Sequence, residues 1–104
     1  MRLVFTSHGW DDYRWWQAHD RATLRRINRL VDDALRDPTS GIGKPEPLRH
    51  VLAGCWSRRI TEEHRLVYLV DGDDLVIIQA RHHYEPQTSG SSAPQRGQDR
   101  PAIA

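Results

Sequence analysis

One carboxylate in this sequence has its backbone set by its neighbours. In the stretch Gly41-Ile42-Gly43-Lys44-Pro45-Glu46-Pro47-Leu48-Arg49-His50, two prolines bracket Glu46, fixing φ on either side and restricting Glu46 itself to extended backbone. A carboxylate on so stiff a segment, between Lys44 and Arg49, has the make-up of a positioned general base; the competing reading is a solvated loop acid. Arginines follow in Trp56-Ser57-Arg58-Arg59-Ile60 and at Arg65. Their planar forks suit phosphate, and strand alternation sends Arg58 and Arg59 to opposite faces, so at most one of the two serves a given site. The competing reading pairs these arginines with Glu62, Glu63 or other acids at the surface. A third cluster, Arg81-His82-His83-Tyr84, sets imidazoles and a phenol after an apolar run, where burial has no use for them. Imidazole is the side chain best suited to moving protons near neutral pH. A metal site drawn from His50, His64, His82 and His83 lacks any recognised ligand spacing. Gly-Ile-Gly-Lys lacks the full spacing of a phosphate loop and follows no strand. A carboxylate, guanidinium groups, an imidazole and a phenol are together what RNA cleavage without metal requires. A base deprotonates the 2′-hydroxyl, cations stabilise the phosphoryl oxygens, and an acid protonates the 5′-oxygen as it leaves. The product is a 2′,3′-cyclic phosphate, and DNA lacks the nucleophile.

The chain that must position these groups has 104 residues, room for one domain. Its 15 basic and 14 acidic side chains leave a formal charge of +1, which excludes a protein that coats nucleic acid by charge alone. Four Trp, three Tyr and one Phe give a small core large pieces to pack. The single cysteine excludes an internal disulfide framework and a Cys-based zinc cluster. The longest apolar run, residues 75–78, is too short to span a bilayer, and the N-terminal residues are too weakly apolar for a secretory signal. A cytoplasmic location with no membrane partner is the expectation. After Tyr84 the composition turns to Pro, Ser, Gly and Gln, which cannot offset its ordering entropy. This divides the chain into a domain, 1–84, and a flexible tail, 85–104.

Within 1–84, residues 3–6 read as a first strand. Ser7 is the expected cap of a helix carrying Trp10, Tyr13 and Trp16, and Asp20 the expected cap of a second with the stripe Leu24, Ile27, Val31, Ala34 and Leu35. Asp37-Pro38 ends it. Residues 55–61, 65–70 and 75–81 then read as strands, with Asp71-Gly72 as the strongest hairpin signal. The expectation is an α+β fold, two N-terminal helices packed on one face of a twisted, mainly antiparallel sheet, with the other face open for a site.

The motifs GKPEPL (43–48), WSRRITEEHRLVY (56–68) and RHHY (81–84), with WDDY (10–13), resemble the YoeB group of the RelE toxin superfamily. The resemblance covers essentially all of 1–84. It implies a microbial-ribonuclease-like (RelE-like) fold and a toxin that enters the ribosomal A site and cuts mRNA there, with no cofactor. It also implies a YefM-like antitoxin, operator DNA bound only through the toxin–antitoxin complex, and a homodimer. On matching positions it makes Glu46 the general base, His83 the general acid, Arg65 the group stabilising the pentacovalent phosphate, and Tyr84 a residue orienting the phosphate or stacking near the scissile nucleotides. Arg49, standing where lysine is usual, and Arg59 match RNA-binding positions. Cys55 and His82 stand where an aromatic residue and a tyrosine are more common.

Lys44, Arg49, Arg58, Arg59 and Arg65 give residues 41–70 a local basic excess over Glu46, Glu62 and Glu63, and with Arg81 they form the expected RNA- and ribosome-binding set. Strand register bears on which histidine acts. A simple turn pairing Val70 with Leu75 would place Arg65 opposite Ala80 and His82 on the face of Arg65. A one-residue bulge, or departure from the strand after Arg81, would bring His83 there; the resemblance selects His83. Two rival readings are a noncatalytic inhibitor that occupies the A site and a structural partner in a DNA-binding repressor. The second has no helix-turn-helix signal behind it.

Overall fold

The computed structural model describes residues 1–82. His83, Tyr84 and the expected tail, 85–104, lie outside the described residues. Strand β1 (Arg2–Phe5) leads into α1 (Ser7–His19) and α2 (Arg21–Arg36), followed by β2 (Glu46–Pro47), β3 (Trp56–Arg59), β4 (Arg65–Asp71) and β5 (Asp74–Gln79). One sheet results, in the order β1-β5-β4-β3-β2. β1 runs parallel to β5 and the other pairs are antiparallel.

The cap of α1 is Thr6, not Ser7: its hydroxyl oxygen accepts from the Gly9 N–H at 3.0 Å. Thr6 is also tied to the sheet, its N–H donating to the Ile77 carbonyl at 3.0 Å, so the first helix starts where the first strand is still bonded. α1 then lies against β5 almost backbone to backbone. A Cβ at Gly9 would stand 2.3 Å from the Ile77 oxygen, which explains glycine inside a helix despite its propensity cost. α2 is capped as expected, Asp20 Oδ1 accepting from the Thr23 N–H at 3.1 Å. It buries Ile27, Leu30, Val31 and Ala34. Leu30 joins the expected stripe, with Leu24 and Leu35 at its edges.

Between the helices and the sheet, these residues and Trp16 pack on Ile60, Leu66, Tyr68, Leu75, Ile77 and Ala80. The opposite face is not wholly open. Residues 48–55 fold back over it, and Leu48, Cys55 and Val67 form a second small core with Leu52, Leu69 and Ile78. The β4–β5 hairpin has Val70 opposite Leu75, as the sequence predicts, and Asp71 opposite Asp74. Gly72 at φ +63° is the only residue of its two-residue turn with positive φ, the pattern of a type II′ turn. Further along, the register shifts between Val67 and Tyr68: Tyr68 faces Ile77, but Val67 faces Gln79. This bulge overturns the simple pairing of Arg65 with Ala80.

Arg58 corrects the expected RNA-binding set. Its side chain is fully buried on the helix side of β3. Nη1 donates to Asp33 Oδ2 at 2.6 Å and to the Ile42 carbonyl at 3.1 Å, and Nη2 to the carbonyls of Asp37 and Ser40 at 2.7 and 3.0 Å. Nε donates to the Tyr68 hydroxyl at 2.9 Å, which in turn donates to the Pro38 carbonyl at 2.7 Å. The guanidinium thus satisfies the carbonyls of the loop after α2, where no regular ladder is available, and has no donor to offer a phosphate.

Hydrogen bonds from Arg36, Arg58 and the Ile42 N–H hold the Asp33 carboxyl well below the usual carboxylate range. With the folded value depressed, Asp33 contributes stability above its unfolded value of about 3.8 and loses it as pH falls through the folded value. Asp33→Asn should therefore be less stable than wild type at neutral pH, with the gap narrowing steadily below about pH 4. Urea midpoints measured from pH 7 down to pH 2 check this; a constant gap would sink it.

Candidate active site

On the sheet face away from the helices, β2, β3 and β4 bring Glu46, Ser57, Arg59 and Arg65 together. The two-residue strand β2 was not expected from sequence. Glu46 pairs with Ser57, Ser57 with Val67, and Arg59 with Arg65. The preceding turn, with positive φ at Gly41, Gly43 and Lys44, is fastened to β3 by the Arg59 N–H donating to the Gly43 carbonyl at 2.7 Å. The Pro45-Glu46-Pro47 segment can pair only briefly, because each proline lacks a donor.

Arg65 Nη1 stands 3.5 Å from Glu46 Oε2 and donates to Ser57 Oγ at 3.2 Å. The Glu46 side chain is 58% exposed and that of Arg65 21%. The carboxylate is thus open to a ligand, while the guanidinium is partly sunk and held from below. Ser57, almost fully buried, is a site residue that sequence reasoning missed, although strand alternation puts it on the face of Arg59. Arg59 is exposed directly across from Arg65. Like charges facing each other across strands are unfavourable, and one carboxylate offsets only one of the two, so this corner suits an anion. Arg49 is exposed just after β2, and Lys44 just before it. Among the described residues no group of three or more His, Cys, Asp or Glu side chains is placed to hold a metal ion.

The end of β5 turns back towards Arg65. The Arg65 N–H donates to the His82 carbonyl at 3.0 Å, so the chain continues to His83 from a point bonded to the backbone of Arg65. The His82 ring does not join Glu46. It lies with its centroid 5.6 Å from that of His64, which packs edge-on against Trp16 at 4.9 Å. Partial burial, Arg81 and His64 hold the His82 imidazole below its usual range. Arg81, expected to bind RNA, stacks on Trp15 of α1 with its guanidinium carbon 3.8 Å from the ring centroid. A cation–π contact offers Arg81 an apolar partner there. Asp12 is the buried carboxylate on this side. It accepts from the Ala80 N–H at 2.9 Å, and burial pushes its pKa up.

Comparison with known proteins gives one consistent result. The family model for the YoeB-like toxin of bacterial type II toxin–antitoxin systems matches residues 5–84. Toxin YoeB of Streptomyces coelicolor is 60% identical over 84 residues, 81% of this chain and all of that protein. The structure of a YoeB/ParE toxin from Agrobacterium tumefaciens has 52% identity and a TM-score of 0.79 over 81% of this chain and all of the other. Two Staphylococcus aureus structures, a YoeB dimer and a YoeB–YefM complex, have TM-scores of 0.75 and 0.74 at 39% and 38% identity, each covering 81% of this chain and 98% of theirs. The helix pair on a five-stranded sheet and the family motifs along residues 5–84 lead to the same conclusion: the chain belongs to the YoeB-like toxins of type II toxin–antitoxin systems.

Proposed function

We propose that this toxin is a ribosome-dependent endoribonuclease that cuts mRNA in the A site and so stops translation. The observation that carries the reading is the solvent-reachable Glu46 carboxylate 3.5 Å from Arg65, with Arg59 across the strand pair. Glu46 takes the proton of the 2′-hydroxyl, and the freed oxygen attacks the adjacent phosphorus. Arg65, oriented by Ser57, meets the rising charge on the phosphoryl oxygens. His83 protonates the departing 5′-oxygen and Tyr84 orients the phosphate or stacks near the scissile nucleotides. Lys44, Arg49 and Arg59 bind the RNA backbone on either side. The reaction leaves a 2′,3′-cyclic phosphate and calls for no cofactor.

The near-neutral net charge of +1 gives little general attraction to RNA, which supports delivery of the substrate by the ribosome. The partner is a YefM-like antitoxin that covers the basic corner and carries the pair to operator DNA, and the toxin itself is a homodimer in the cytoplasm; the dimer and YefM complex of relatives support the assemblies. Primer extension on mRNA translated with and without the toxin tests the reading. New 5′ ends within the A-site codon are expected; inhibition without new ends would replace cleavage by occupancy.

Arg65→Lys should lower single-turnover cleavage by about 10-fold or more although charge is kept. A guanidinium donates two aligned bonds to a phosphate, an ammonium does not, and the hold of Ser57 is lost. Cleavage by Arg65→Lys at the wild-type rate would reduce Arg65 to a nonspecific charge.

A further inference from the structure

His82 is bound at both of its backbone polar groups. Its N–H donates to His64 Nδ1 at 2.7 Å. Its carbonyl accepts from the Arg65 N–H at 3.0 Å and from Gln79 Nε2 at 3.1 Å. Two residues earlier, Ala80 is held in the same way, its N–H by Asp12 at 2.9 Å and its carbonyl by the Trp16 indole N–H at 2.7 Å. Between them Arg81 is clamped on Trp15. His82 itself stands at φ +69°, a left-handed conformation uncommon for a non-glycine residue. β5 ends at Gln79, and past it the backbone tie to β4 comes from the Arg65 N–H. Side chains of α1, of Gln79 and of the β3–β4 loop supply the rest.

We propose that His64 is a positioning residue for the cleavage reaction: its unprotonated Nδ1 holds the His82 amide and thereby sets where the chain leaves the fold towards His83 and Tyr84. The inference rests on the ribonuclease reading above. The geometry fixes the tautomer. Nδ1 can accept only if it carries no proton, so the neutral ring keeps its hydrogen on Nε2, which lies 3.9 Å from Glu63 Oε1. A second proton on the ring would point a donor at the His82 N–H and break the bond. Glu63 sits on the same loop, His8 and Asp12 reach the pair from α1, and Arg81 and His82 from the end of β5. From α2, Arg26 donates to the carbonyls of Arg59 and Ile60, where that loop begins. His64 is adjacent in sequence to Arg65, so one short segment both presents a guanidinium to the phosphate and anchors the chain at His82, just before the proposed proton donor.

The test compares wild type, His64→Leu and His64→Asn in the full chain. It uses single-turnover cleavage of ribosome-bound mRNA, ribosome affinity, and hydrogen-exchange protection of the His82 amide. His64→Leu removes the acceptor. It should lose His82 amide protection and about 10²-fold in rate, the scale of a misplaced catalytic group, with ribosome affinity unchanged. Asparagine offers an oxygen acceptor near the place of Nδ1 and carries no titrating proton. His64→Asn should therefore keep protection and most of the rate. Wild-type cleavage with an equally active His64→Leu, or loss of most of the rate in a His64→Asn that keeps His82 amide protection, overturns the inference alone. If His64→Leu does not fold, His64→Asn decides: a full rate without His82 amide protection overturns the inference. A wild type that does not cut ribosome-bound mRNA overturns the ribonuclease reading and the inference with it.

Discussion

Glu46→Gln is expected to lower single-turnover mRNA cleavage on the ribosome by roughly 10²–10⁴-fold, the range contributed by a positioned general base, while ribosome affinity stays nearly unchanged. Glutamine has the shape of glutamate and its oxygen can still accept from Arg65, so the 3.5 Å contact with the guanidinium has a substitute. What it lacks is the capacity to take a proton from a 2′-hydroxyl. The segment that carries residue 46 is bracketed by two prolines and fastened to β3 through the Gly43 carbonyl, so the substitution leaves the backbone where it is. Rate and affinity measured on the same programmed ribosomes check the expectation. A rate within threefold of wild type would remove Glu46 from the chemistry, and equal losses of rate and affinity would make it a docking residue.

The second large effect is on stability. Arg58→Leu should cost about 3–5 kcal/mol, the usual consequence of removing one partner from a buried ion pair. The loss leaves Asp33 without its buried cation and strips donors from the carbonyls of Asp37, Ser40 and Ile42 and from the Tyr68 hydroxyl. Against the roughly 5–15 kcal/mol that holds a domain together, this is a large share. The melting temperature should fall by roughly 12 °C or more, at about 4–8 °C per kcal/mol for a domain of this size. Arg58→Lys should recover only part, since one ammonium cannot reach acceptors placed around a planar fork. Thermal unfolding followed by circular dichroism gives the answer. A stable Arg58→Leu protein that has lost only ribosome affinity would return Arg58 to the RNA-binding set.

Arg58 and Arg59 mark the boundary between what sequence and tertiary structure each decide. Adjacent strand residues point to opposite faces, so sequence alone requires one of the two to face the helices and the other to face away. Which does which depends on what stands opposite. On the helix side, Asp33 of α2 and the loop carbonyls after it can satisfy a buried guanidinium; on the other side Arg59 meets solvent and Arg65. The partners lie 16 to 25 residues away in sequence, and no local pattern reports them.

The same division runs through the rest of the chain. The apolar stripe of α2, its Asp20 cap, the Val70–Leu75 hairpin pairing and the stiffness around Glu46 are written in short-range sequence, because each depends on helical period, strand alternation or proline geometry over a few residues. Long-range contacts decided the remainder. β2 exists only because β3 offers it an edge. Asp12 is buried within an aromatic-rich helix because Ala80 needs an acceptor there. The bulge, whose extra residue is Ile78 of β5, comes just before Ala80, which Asp12 and Trp16 of α1 hold by its N–H and its carbonyl. That bulge takes away the simple pairing of Arg65 with Ala80 that would favour His82, whose ring packs beside His64. Periodicity assigns faces only while a ladder stays in register, and here the ladder loses register at the residues that lead to His83.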